Sequence, residues 1–113
     1  MMKIPKGIVA VALASAALLP SVGAALTFSN KSVGQLGSSD ATRDCILFTL
    51  DGVAEANPVK PGDPWFSIPR AQFGSKDAYA MLLAGKLSGQ PVTVTTNGEL
   101  SCGYALVTWV KMQ

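Results

Sequence analysis

The groups in this sequence able to do covalent chemistry are few: Cys45 and Cys102 are its two cysteines, and no histidine occurs in 113 residues. Without an imidazole, neither a Ser/His/Asp nor a Cys/His nucleophile-base arrangement can be assembled. Zinc would have to be held by thiolates and carboxylates alone, and the cysteines lack the close spacing of a metal knuckle. The acidic residues Asp40, Asp44, Asp51, Glu55, Asp63, Asp77 and Glu99 are scattered, mostly beside turn formers. A two-carboxylate hydrolase needs its pair held about 5 to 10 Å apart in a cleft, and the spacing recommends none. The chain is therefore expected to be no enzyme, with no catalytic residue, no metal and no cofactor; a small hydrolase is the least favoured reading. Interaction chemistry is better represented. Trp65, Phe66, Tyr104 and Trp109 offer ring faces, although core or subunit interface is the commoner fate of Phe66 and Trp109. Arg70, Lys76 and Lys86 read as a solvated face open to an acidic partner.

The compartment sets how the cysteines are read. Met1 to Ala24 has the layout of a secretory signal peptide: Lys3 and Lys6 at the start, a small-apolar run from Ile8 to Leu19, the breaker Pro20, and the small residues Val22-Gly23-Ala24 before the cut. The apolar run is too short to span a bilayer, which needs about 20 residues. Cleavage would leave Ala25 to Gln113 as one domain and remove Lys3 and Lys6 from nine basic residues, balancing the seven acidic ones. A neutral domain has no basic stripe to neutralise phosphates, so nucleic acid is not an expected partner. At about ninety residues the domain buries a modest share of its surface. In an oxidising compartment the two cysteines are expected to pair, stapling the fold.

Positioning elements follow from the patterning. Ser32 to Gly37 is a weak strand anchored by Val33 and Leu36. Asp44 to Asp51 alternates cleanly, with Ile46, Phe48 and Leu50 on one face. Pro58, Pro61 and Pro64 make the next stretch a loop, and Trp65 to Ile68 is a short strand stopped by Pro69. A helix is predicted from an N-cap at Ser75, with Asp77 in its first turn, to a C-terminal cap at Gly89. Gly85 inside it marks a close packing point. Asn97-Gly98 is the strongest hairpin signal, joining Pro91 to Thr96 with Leu100 to Lys111. That register puts Val92, Val94, Ala105, Val107 and Trp109 in the core. Leu100, Tyr104, Leu106 and Val110 then share the opposite face, which is expected to be an oligomer interface. A helix between the third and fourth of five short strands is the order of the OB-fold, a Greek-key barrel; the alternative is a two-layer α+β sandwich.

From Asp44 to Met112 the chain also resembles a known family. The cysteine strand DCILF, the aromatic strand WFSIP, the helix and joint LLAGKLSGQPVTV and the closing CGYALVTWV are similar to the B subunits of subtilase cytotoxin and typhoid toxin, and to the small secreted bacterial proteins related to them. Leu87-Ser88-Gly89-Gln90-Pro91-Val92 matches their passage from helix to fourth strand. The resemblance implies an OB-fold protein exported from a Gram-negative bacterium to the periplasm or beyond. It further implies assembly into a homopentameric ring, binding of sialylated glycans, and carriage of an enzymatic A subunit. Phe28-Ser29 stands where those toxin chains use a serine after an aromatic residue for glycan contact, and Trp65 is the further candidate. The family's polar positions on the first cysteine strand are apolar here, at Ile46, Leu47, Phe48 and Leu50. A stand-alone periplasmic interaction or inhibitor protein of the same fold is the alternative.

Overall fold

The computed structural model describes residues 24–38 and 40–112. The expected leader lies outside the described residues except for Ala24. The domain is mainly β, with one helix packed on a mixed sheet of six strands. Strands β1 (Leu26–Lys31), β2 (Val33–Gly37), β3 (Cys45–Leu50) and β4 (Phe66–Pro69) precede helix α1 (Ser75–Ser88), and β5 (Val92–Ser101) and β6 (Tyr104–Met112) follow it. Across the sheet the order is β1-β5-β6-β4-β3-β2, antiparallel throughout except between β4 and β6.

The sequence pattern predicts five strands, and β1 is the sixth. Its residues LTFSNK send only half-buried side chains inward, so the alternation is faint; pairing with β5 through Thr27↔Thr95 and Phe28↔Val94 is what makes it a strand. The helix accordingly falls between the fourth and fifth strands. Although Ser32 alone separates β1 from β2 in the chain, the two lie on opposite edges, and the sheet is open between them.

Ile46, Phe48 and Leu50 of β3 are buried, as their alternation requires, and meet Phe66, Ile68, Val92, Val94 and Leu82 in one core. The Phe48 and Phe66 rings stack at 5.1 Å, and Phe28 meets Phe66 edge-on, also at 5.1 Å. Helix α1 packs on β2, β5 and β6. A Cβ at Gly85 would lie 3.0 Å from the Gln90 carbonyl oxygen and 3.1 Å from Val92 Cγ1, so hydrogen alone lets the helix approach this closely. Its C-terminal cap is Gly89, whose N–H bonds the Gly85 carbonyl at 2.9 Å. At the other end the N-cap is Gly74 rather than Ser75, which is the first helical residue and donates its hydroxyl to the Arg70 carbonyl at 2.8 Å.

The hairpin differs most from its sequence reading. Its turn is Cys102-Gly103, with φ of 55° and 83°, and a two-residue turn of this hand needs positive φ at both positions. Strand β5 runs on through Asn97-Gly98, which form a bulge in which Asn97 Oδ1 accepts the Glu99 N–H at 3.0 Å. A second bulge follows on β6: Thr95 pairs with Trp109 and Thr96 with Val107, leaving Thr108 over. One extra residue reverses the side-chain parity beyond it. Ala105 and Val107 are buried, but past Thr108 it is Val110 that enters the core, at 3 % exposure, while Trp109 turns out to 56 %. Val110 therefore belongs to the core rather than to the predicted interface, and Trp109 to the surface rather than the core.

Four side chains or bonds fasten the hairpin tip. The buried Ser67 hydroxyl donates to the Ser101 carbonyl at 2.7 Å. Asn57 Nδ2 donates to the Glu99 carbonyl at 3.2 Å and Lys60 Nζ to the Gly103 carbonyl at 2.7 Å. The fourth is the disulfide between Cys45 and Cys102, with Cα atoms 6.5 Å apart. β3 and the hairpin are separated in the sheet by β4, and the bond reaches past it because Cys45 is the first residue of β3 and Cys102 lies in the turn just beyond β5. It closes a segment of 57 residues, which chain entropy values at about 4 kcal/mol. Exchanging both cysteines for serine should lower the unfolding free energy by about that amount in urea titrations; a loss below about 1 kcal/mol would show the hairpin tip to be held by its hydrogen bonds alone.

Candidate functional site

Where β4 ends at Pro69 the chain turns through residues 70–74 before entering α1, and this turn builds one wall of a cleft. The Gln72 N–H bonds the Pro69 carbonyl at 3.0 Å, and the Gln72 carbonyl accepts the Ser75 N–H at 3.1 Å. Gln72 Nε2 donates to the Val107 carbonyl at 2.9 Å, tying the turn to β6. Phe73 at the turn's tip is wholly exposed. Opposite it, the Thr108 bulge presents Trp109, whose ring has Lys111 Nζ 5.5 Å from its centre. Phe73 and Trp109 border one cleft of about 210 Å³, with an apolar floor that includes Ile68, Met81 and Val107. Gln72, Asp77 and Thr108 supply its polar groups.

Two exposed rings over an apolar floor, with an amide and a carboxylate beside them, can cover the C–H face of a sugar or an apolar side chain and bond its polar edge. Among the described residues no group of three histidine, cysteine, aspartate or glutamate side chains is placed to hold a metal ion, and no helix is long and apolar enough to cross a membrane.

Phe28, Ser29 and Trp65 do not gather into one patch. Phe28 is half-buried against Phe66, while Ser29 is exposed in an irregular stretch of the β1 edge. Trp65 turns its ring to Tyr104, 6.4 Å away at the hairpin tip. Phe28 pairs with Val94 and Tyr104 with Ser101, positions roughly 20 Å apart along β5 at about 3.3 Å per residue.

Tyr104 is the centre of a second cluster. Lys60 Nζ lies 4.3 Å from its ring centre and Arg43 Cζ 5.4 Å, and Arg43 Nη1 donates to its hydroxyl at 3.3 Å. Lys60 is also paired with Asp63 at 3.2 Å. Two cations therefore cover the ring, which is not offered as a flat apolar contact. Just before Arg43, Asp40 is held below the usual carboxylate range, chiefly by the Thr42 N–H it accepts, then by the Thr42 hydroxyl and the Arg43 N–H. Of the remaining predicted interface residues, Leu100 is exposed and Leu106 half-buried.

No protein-family model matches the chain, and no curated protein matches its sequence. Phe73 and Gln72 carry no signal in the sequence reading, because an isolated aromatic in a turn resembles any other. Trp109 is assigned to the wrong face because a bulge has no strong motif. Phe73→Ala and Trp109→Ala should each change stability by less than about 1 kcal/mol, whereas Val110→Asp buries an unpaired carboxylate and should prevent folding. Urea titration followed by circular dichroism measures both; near-native stability of Val110→Asp would return that residue to the surface.

Proposed function

We propose that this chain is an exported, non-catalytic binding subunit with the fold and role of the toxin B subunits it resembles. In this reading the six strands are five, because β1 and β2 are the two halves of one bent first strand. Three facts support that: only Ser32 separates them, the first half pairs with β5 while the second pairs with β3, and β4 runs parallel beside β6, so the one opening in the sheet is the bend at Ser32. The observation that carries the functional reading is the exposure of Phe73 and Trp109 beside one cleft, in a domain that buries Phe48 and Phe66 completely. Two large exposed rings bordering the same cleft form an apolar patch of the kind that marks a binding surface. A glycan is the ligand, a ring of five copies the assembly, and an enzymatic chain its cargo.

A specific observation favours the second reading, a stand-alone interaction protein. Both edge strands are irregular: β1 shifts register between Phe28 and Lys31, with Asn30 at φ 54°, and β2 shifts between Val33 and Leu36. Irregular edges resist strand pairing between copies, so a ring would have to be built from side-chain contacts.

Native mass spectrometry of the leaderless, disulfide-bonded protein at tens of micromolar separates the two. The toxin-like reading expects a pentamer, dispersed by Leu100→Asp and unaffected by Thr42→Asp, together with glycan binding that Trp109→Ala abolishes. A monomer that binds no member of a sialylated and neutral glycan set would reject it.

A further inference from the structure

A second cavity lies on the opposite side of the α1 N-terminal turn from Trp109. It measures about 330 Å³ and is lined by Ser38, Ile46, Arg70, Ser75, Lys76 and Tyr79. Its charge is of one sign, since Arg70 and Lys76 are the ionised side chains among its lining residues. Ile46, which is buried, and the half-buried Tyr79 supply apolar surface.

Arg70 is anchored at its backbone on both sides: its N–H bonds the Asp44 carbonyl at 3.0 Å and its carbonyl accepts the Ser75 hydroxyl at 2.8 Å. Its guanidinium approaches Asp44 through Nε, at 3.5 Å, which is long for a charge-assisted hydrogen bond. Both members of that pair are more than half exposed, so the pairing is weak and an incoming anion can share the guanidinium. Lys76 meets no acidic partner within ion-pair distance among the described residues.

We propose that this pocket binds the carboxylate of a small organic acid, with Arg70 and Lys76 holding the charge and Ile46 and Tyr79 the apolar body. Volume argues for an organic ligand, because the cavity is at the size at which small-molecule sites begin and is far larger than an inorganic anion. Charge argues for a monoanion over a polyanion: Asp44 stands beside Arg70, and Asp77 shares an adjoining depression with Arg70 and Lys76, so the net positive charge around the pocket is small. The pocket shares no lining residue with the Phe73–Trp109 cleft, although a shallower depression of about 400 Å³ takes its walls from both, with Arg70 and Lys76 on one side and Phe73 and Asp77 on the other.

A carboxylate can come free in solution or carried on a sugar acid, so the test uses phenylacetate, N-acetylneuraminic acid and the neutral phenylacetamide, added in turn to isotope-labelled protein at millimolar concentration. Shifts of the Ile46 methyls and the Tyr79 ring report this pocket, while the Trp109 indole reports the other cleft. Either acid should shift Ile46 and Tyr79 where the amide does not, and which acid does so identifies the source. Replacing both cations, Arg70→Gln with Lys76→Gln, should weaken binding at least about ten-fold, and Asp44→Asn should strengthen it about three-fold. These residues lie at the surface, and an unchanged spectrum elsewhere confirms folding. Equal response to the amide, or no response at Ile46 and Tyr79 to either acid, would overturn the proposal.

Discussion

The β5–β6 hairpin is closed by two residues at positive φ, Cys102 and Gly103, and the first is bonded to Cys45 on the far side of β4. With the turn held there, Ser101 must pair with Tyr104 and Leu100 with Ala105, and the surplus residues on each strand have to be absorbed as bulges. The bulge at Thr108 then exchanges the inward and outward roles of Trp109 and Val110. Core composition and surface chemistry thus follow from where two strands are joined. A turn at Asn97-Gly98 would have used the same residues to make a different molecule, with Trp109 inside and no second ring for the cleft.

The same arrangement explains why the hairpin tip carries so many polar contacts. Ser67, Asn57 and Lys60 all address main-chain carbonyls between Glu99 and Gly103. These acceptors are exposed by the bulges and the turn, and a domain of this size cannot leave them unmet beside its core. Packing and hydrogen bonding therefore favour the same register, the consistency expected of a sequence that folds to one state. The helix contributes by closing on β2, β5 and β6 through Leu82 and Gly85, and its first turn separates the aromatic cleft from the cationic one.

What could be read in advance divides along physical lines. Strand β3 was legible because Ile46, Phe48 and Leu50 recur at every second position between Asp44 and Asp51, and the helix because its residues lack β-branching and end at Gly89. The disulfide followed from two cysteines in a chain read as exported. Strand β1 was not legible, since an edge strand that buries little shows little periodicity and owes its form to β5. The turn was misplaced because Asn97-Gly98 carries the stronger local preference, whereas Cys102-Gly103 is fixed by the disulfide and the bonds to β4 and the loop before it. For the candidate site the residues themselves offered Trp65 as a ring face and the resemblance offered Phe28 and Ser29, and the fold separates them. Phe73 and Trp109 come together only once the bulge and the 70–74 turn are placed, both products of tertiary structure.

One register underlies the core, the aromatic cleft and the placement of Trp109, and cross-strand nuclear Overhauser contacts in the labelled, oxidised protein measure it directly. A contact between the backbone protons of Thr96 and Val107, with another between Leu100 and Ala105, is the expected result. Contacts joining Thr96 to Glu99, the signature of a two-residue Asn97-Gly98 turn, would contradict it and return Trp109 to the core.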